Sequence, residues 1–280
     1  RRTVLDKILV DAAVAAGAEL AEGVYVDELI FDGDRVAGIE GHTLHGRFTE
    51  RARFVVGADG RNSIVARSVE PPNVRYRDAL GAGFYSYFAD LECTSAELYL
   101  HERHFSVAFP TNSGLTLVAA GQPPEVFDDW KRDIETHFLE HCDTLGDLGP
   151  RVRAAIRAEK FVGAADLPNF LRQSWGPGWA LVGDASYHKD PTPADGITDA
   201  FRGADLLSDA LNAILSGAEP EDVAFQRFQH DLEDASLPLY EQTMTMSCFD
   251  VPPTDRMAAF FEIANLHQKE IEKMSQEVAA

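Results

Sequence analysis

A chain of 280 residues with 45% apolar and 25% charged side chains can bury a substantial core and hold two domains, and it is too apolar to be disordered. Its formal net charge of −21 sets up a field that repels phosphate backbones and anionic lipid, which argues against nucleic acid and membrane surfaces as partners. No apolar run reaches the length of a membrane span, and the three cysteines, Cys93, Cys142 and Cys248, form no C-x-x-C pair and suit a reducing, cytoplasmic setting.

The pattern opens on a helix over residues 3–16, with Val4, Leu5, Ile8, Leu9 and Ala12 at helical spacing and Gly17 as its stop. Short strands follow over 18–56, with a hairpin turn at Phe31-Asp32-Gly33-Asp34, re-entry of the sheet at Phe54–Gly57 and a short helix at Asn62–Arg67. Pro71-Pro72 marks a boundary. Strand-like stretches then occupy Gly83–Ala89, Ala96–Leu100, Phe105–Phe109 and Leu115–Ala119. Pro123-Pro124 introduces a helix over 125–141 with Trp130, Ile134, Phe138 and His141 on one side, and a second helix spans 150–157. Phe161–Phe170 crosses back, and two further helices, 221–246 and 254–278, flank Val251-Pro252-Pro253.

Between these lies the most informative stretch. The strand-like Trp179-Ala180-Leu181-Val182 ends in Gly183-Asp184-Ala185. A loop with Pro191 and Pro193 follows, and Gly196 opens a helix carrying Ile197, Phe201, Ala204, Leu207, Leu211 and Leu215. Such a strand–loop–helix unit puts a carboxylate at a strand's carboxyl end, where it can accept hydrogen bonds from sugar hydroxyls. It also puts free N–H groups and a helix dipole where they can stabilise negative charge. Phe54-Val55-Val56-Gly57-Ala58-Asp59-Gly60 repeats the theme of a strand ending in Gly and Asp.

Val56 to Val65 resembles the "DG" motif of flavoprotein monooxygenases of the aromatic-hydroxylase type, and Gly183-Asp184-Ala185 through Pro191 to Gly196 resembles their "GD" motif. Arg2-Thr3-Val4-Leu5-Asp6-Lys7-Ile8-Leu9 matches the Arg-x-x-Leu-x-x-x-Leu helix that precedes both. The resemblance spans residues 1 to about 215, in the family's order. It implies an α/β fold: a Rossmann-like FAD/NAD(P)-binding domain, incomplete at its N-terminus, with an inserted α+β substrate domain. The expected division is 1–71 and 173–220 for the FAD-binding parts, 72–172 for the substrate domain and 221–280 for C-terminal helices. The family's G-x-G-x-x-G turn, which seats a pyrophosphate on a helix N-terminus, has no counterpart here; Gly81-Ala82-Gly83-Phe84-Tyr85-Ser86 fails at the third glycine. The chain is therefore expected to lack an upstream segment, and these residues alone are expected to hold FAD poorly.

By the same resemblance Asp184 accepts from the ribityl chain of FAD, and N–H groups near Gly196 and Ile197 face the flavin pyrimidine edge. The Pro191 backbone lies near the oxygen-bearing carbon, Asp59 near the ribose or pyrophosphate and in NAD(P)H engagement, and Arg2 near the phosphate-ribose region. Each has a purely structural alternative: a cap for Asp184, a proline-punctuated loop for Pro191–Ile197, an Asp-Gly turn for Asp59 and a solvated terminus for Arg2. The family's arginine position is held by Ala66, with Arg67 beside it, and Asp195 stands where an uncharged residue is common. His188, Lys189 and Asp190 read as loop residues at the pocket edge. The pairs His42/His45, His101/His104 and His137/His141 have no H-E-x-x-H arrangement, so no metal is expected. Trp175 and Trp179 do not form the W-x-W-x-I-P signature of flavin halogenases, which disfavours that branch.

The expected function is that of an FAD-dependent, NAD(P)H-dependent monooxygenase that forms a flavin hydroperoxide with molecular oxygen and inserts one oxygen atom into a small organic substrate. No residue offers itself as an obligatory acid or base. Gly83, Phe84, Tyr85 and Phe105–Phe109 are candidate linings of the substrate pocket. Two alternatives stand beside this reading: a flavin-dependent alkene reductase of the geranylgeranyl-reductase kind, and a non-catalytic fragment unable to hold FAD.

Overall fold

The computed structural model describes residues Arg1–Ala279, which part into two compact units. The first comprises Arg1–Pro71 and Ser174–Ala185; the second takes Pro72–Gln173 and what is described from Ser186 onward.

The first unit opens with helix α1, Arg2–Ala15, which buries none of its side chains. Strands β1 (Tyr25–Asp32), β2 (Arg35–Thr43) and β3 (Gly46–Arg51) form an antiparallel meander. Gly33, at φ 60°, closes the first hairpin, a backbone conformation that a Cβ would oppose. Strand β4, Val55–Gly57, leads into the short helix α2, Ile64–Val69, whose Ser63 cap accepts from the Ala66 N–H at 3.1 Å. Leu29 and Val36 from the meander pack with Val65 of α2 in the unit's core.

The second unit begins with strand β5, Asn73–Arg77, and a sheet of β6 (Ala82–Ala89), β7 (Glu97–Leu100), β8 (Phe105–Pro110) and β9 (Thr116–Gln122). The expected helix over 125–141 is broken. It becomes α3, Phe127–Trp130, and α4, Ile134–Asp143, because Asp133 turns its carboxylate to the Thr136 N–H at 3.2 Å and starts a new helix. Helix α5, Leu148–Ala154, follows. Strands β10 (Ile156–Arg157) and β11 (Val162–Ala164) both pair with β6, giving the order β10-β6-β9-β8-β7, and β12, Asn169–Arg172, pairs with β5. Strict alternation sends Phe84 and Phe88 of β6 and Val118 of β9 to the face covered by Trp130, Phe138, Leu148 and Val152.

The chain then returns to the first unit through β13, Trp175–Gly176, and β14, Trp179–Leu181. Strand β14 runs parallel to β4, with Trp179 opposite Val55 and Leu181 opposite Gly57, and its Trp179 and Leu181 complete the first core. Strand β15, Tyr187–His188, pairs with β12 in the second unit. Helices α6 (Gly196–Ser216), α7 (Glu221–Ser247) and α8 (Pro253–Ala279) end the chain. Residues 186–220, expected with the first unit, thus cluster with the second, since β15 joins β12 there. Arg256 of α8 is wholly buried. It donates to the carbonyls of Met246 at 2.8 Å and His101 at 3.3 Å, with its guanidinium over the Phe249 ring.

His141 is buried on α4, against Trp130 and His104, and its Nε2 lies 3.0 Å from Ser106 Oγ. Burial and the nearby His104 push its pKa down to about 4. The unfolded chain therefore binds a proton in the window below the ordinary histidine value that the folded chain refuses. The stabilisation is present above pH ~6.5 and lost as pH falls towards ~4, by up to about 3 kcal/mol. Urea unfolding at a series of pH values should show that loss, and His141→Leu should flatten it.

Candidate functional site

In the first unit the parallel pairing of β4 and β14 sends both chains out at the same edge of the sheet. Asp59 follows β4 by two residues and Asp184 follows β14 by three, so both carboxylates leave the carboxyl ends of neighbouring parallel strands. They differ in occupation. Asp59 Oδ2 accepts from the Ile64 N–H at 2.7 Å, so this carboxylate holds the entry to α2. Asp184 sits in a single turn, Gly183–Ala185, with Gly183 at φ 57°, and is exposed. No hydrogen bond joins its carboxylate to any described residue. The charge acting on it comes from Arg2: that guanidinium is held above its ordinary pKa first by its hydrogen bond to Asp6, at 2.5 Å, and least by the field of Asp184. The first unit thus sets Asp59 and Asp184 beyond neighbouring strand ends, with Arg2 within the field of Asp184. Ala66 is buried on the inner side of α2, while the exposed Arg67 of the same helix donates to the Asn62 carbonyl.

In the second unit His188, Lys189 and Asp190, expected as loop residues at the pocket edge, are buried. His188 Nδ1 donates to the Pro168 carbonyl at 2.6 Å. Asp190 accepts from the Thr192 N–H at 3.0 Å and from its hydroxyl, and the Asp190 N–H donates to Asn169 Oδ1 at 2.6 Å. These bonds hold a turn from Pro191 to Ala194, in which the Ala194 N–H reaches the Pro191 carbonyl at 2.8 Å. Ala194 lies at φ 61°, the left-handed region that a Cβ disfavours, so the surroundings impose the shape of this loop. Pro191, Gly196 and Ile197 are exposed, and no side chain caps α6. The first amides of α6 are therefore open to an acceptor, with the helix dipole behind them.

Lys189, its side chain 3% exposed, pairs with Asp199 and lies 3.5 Å from Asp195. Asp199 pairs with Arg202 at 2.8 Å, and Arg202 reaches Glu270 of α8 at 2.6 Å. His267, also on α8, lies 3.1 Å from Asp195 and 3.7 Å from Glu270. Sequence reading missed this cluster. Its only local signal is the spacing of Asp195, Asp199 and Arg202 along one face of α6 and of His267 and Glu270 along α8.

Of the expected pocket linings, Phe84 is corrected: it points into the helix-covered core because it shares the parity of Ala82, Ser86 and Phe88. Gly83 and Tyr85 occupy the other face. There Tyr85 stands opposite Ala119, which stands opposite Val107, and the next row is Tyr87, Leu117 and Phe109. Gly121 leaves the space that the Phe105 ring fills. This second face is apolar and half-buried. Among the described residues no group of three or more His, Cys, Asp or Glu side chains is placed to hold a metal ion, and no helix is long and apolar enough to cross a membrane.

A family model described as "FAD binding domain" matches residues 2–224. Among curated proteins, a digeranylgeranylglycerophospholipid reductase of Methanopyrus kandleri is 27% identical over 208 residues, 70% of this chain and 50% of its own length. The chain spans about half the length of the curated relatives it matches. Among solved structures, a myxobacterial chondrochloren halogenase, described as a variant of the FAD-dependent halogenases, aligns with a TM-score of 0.80 at 22% identity, covering 98% of this chain and 65% of that one. A probable FAD-dependent monooxygenase of Pseudomonas aeruginosa aligns with a TM-score of 0.78 at 18% identity, covering 91% of this chain and 72% of that one. These two likenesses are of fold.

The strain at Ala194 is measurable. Ala194→Gly should stabilise the protein by about 0.5–1 kcal/mol, the left-handed penalty of a Cβ less the extra backbone entropy that glycine loses on folding. The midpoint of urea unfolding reads the difference.

Proposed function

The chain belongs to the FAD-binding-domain family, and from that premise we propose that it is part of a flavin-dependent oxidoreductase, a monooxygenase that takes reducing equivalents from NAD(P)H and oxygenates a small apolar substrate. The observation that carries this is Asp184: an exposed carboxylate at the end of a parallel strand, with no hydrogen bond to any described residue. A polyol chain offers several hydroxyl donors and no charge, and a free carboxylate is the acceptor that suits it. The uncapped first turn of α6 is the second point of fit, because a helix N-terminus favours a ligand edge that gains negative charge.

Bound FAD would supply the redox chemistry, accepting a hydride and passing electrons to oxygen. The chain's own residues bind and orient. Asp184 would take ribityl hydroxyls, Arg2 would offer a guanidinium to the phosphate-ribose region, and the amides of Gly196 and Ile197 would serve the ring's pyrimidine edge. Pro191 would contribute backbone near the oxygen-bearing carbon. Asp59 acts on the cofactor through the turn it holds, since its Oδ2 is already committed to the Ile64 N–H. The open face of the sheet, with Tyr85, Val107, Phe109 and Leu117, supports an apolar substrate and keeps water off it.

A second reading, a flavin-dependent alkene reductase, is supported by the reductase relatives at 25–27% identity. Oxygen uptake separates the two: a monooxygenase consumes oxygen stoichiometrically with NAD(P)H and product, while a reductase turns over under anaerobic conditions.

Asp184→Ala in the full-length protein should weaken FAD binding by about 1.5–3 kcal/mol, the range for losing charge-assisted hydrogen bonds. Flavin fluorescence titration measures it, and equal affinities in the two proteins would remove Asp184 from the site.

A further inference from the structure

The charged residues around the start of α6 close into a ring. Lys189 meets Asp195 and Asp199, Asp199 meets Arg202, Arg202 meets Glu270, Glu270 meets His267, and His267 returns to Asp195. Signs alternate around it. Three carboxylates face two permanent cations, and a protonated His267 brings the ring to neutrality. Asp195 is at once a member of this ring and the N-cap residue of α6.

An N-cap aspartate ordinarily holds an extended backbone and turns its carboxylate onto the amides of the helix's first turn. Asp195 does neither. Its backbone is helical, at φ −93° and ψ −7°, and its side chain makes no cap hydrogen bond. Its oxygens lie instead towards Lys189 Nζ at 3.5 Å and His267 Nε2 at 3.1 Å. We propose that Asp195 and His267 are positioning residues: the ring draws the N-cap carboxylate away from α6 and so keeps the amides of Gly196, Ile197 and Thr198 open to the flavin. The proposal rests on the reading that these amides meet the flavin.

The arrangement depends on His267. The groups that face it are Asp195 from the loop and Glu270 from its own helix, with Lys189, Asp199 and Arg202 behind them. Without the His267 ring, Asp195 keeps Lys189 alone. The α6 amides then offer it donors, with a helix dipole that attracts a carboxylate. Asp195 moves onto them and competes with the cofactor.

The test is the FAD dissociation constant of the full-length wild type, His267→Gln, Asp195→Ala and the double variant at one pH, with the amide shifts of Ile197 and Thr198 followed by NMR in the flavin-free proteins. His267→Gln should bind about fivefold more weakly than wild type, the size of a typical N-cap contribution. Asp195→Ala, with no carboxylate to compete, should bind as tightly as wild type, and adding it to His267→Gln should restore the wild-type affinity. If Asp195→Ala weakens binding as much as His267→Gln, the ring is only structural and the proposal is overturned. If the amide shifts move in His267→Gln and return in the double variant while FAD affinity ignores every substitution, the ring works as described and the flavin contact with α6 is the part that fails. If the amide shifts do not move in His267→Gln, Asp195 never reaches the helix and the proposal falls, whatever the flavin does.

Discussion

The ammonium of Lys189 sits almost wholly out of water. Stripping an ammonium of its hydration costs several kcal/mol, recovered only if opposite charges meet it in good geometry. Asp199 and Asp195 supply those charges, and each then needs partners of its own. Arg202 serves Asp199, His267 serves Asp195, and Glu270 lies against both Arg202 and His267. The requirement is thus passed from residue to residue until α8 is tied to the first turn of α6. The loop before α6 is fixed from its buried side by the same logic, through Asp190, Asn169 and Thr192. What remains on the exposed side is a helix start with a defined direction and no internal acceptor.

The two units offer ligand groups of opposite polarity, each from a strand–loop–helix connection. The first presents carboxylates at the ends of parallel strands, where hydroxyl donors are matched. The second presents amides at a helix start, where acceptors are matched. In each unit the sign of the terminus, and not its position in the sequence, decides which ligand group it suits.

Much of this was legible in the residues. Alternation marked the strands of the second unit, and the Gly-Asp pairs after Val55-Val56 and Leu181-Val182 marked both carboxylates. Three things were not legible. The helix expected over 125–141 breaks because Asp133 prefers a local cap, a competition between two acceptable backbones that periodicity does not register. Phe84 has a readable parity, but which parity is inward depends on helices that come more than forty residues later and cover one face of the sheet. The charged ring lies furthest from reach. Arg202 and Glu270 are far apart in sequence, and a buried lysine looks in one dimension like any loop lysine.

The pairing of β4 with β14 also sets an order in time. Val55 leaves the ribosome long before its partner Trp179, and the strands β5 to β12 of the second unit are made in between. In the described residues β14 is the only strand that pairs with β4. During synthesis the first unit therefore waits, with Val55–Gly57 lacking its strand partner and Leu29, Val36 and Val65 lacking Trp179 and Leu181, while the sheet of the second unit is already free to assemble. A nascent chain of this protein exposes Val55–Gly57 and the half-built core around Val65 to chaperones and proteases, and a translational pause placed just before residue 179 would lengthen that exposure more than a pause anywhere later.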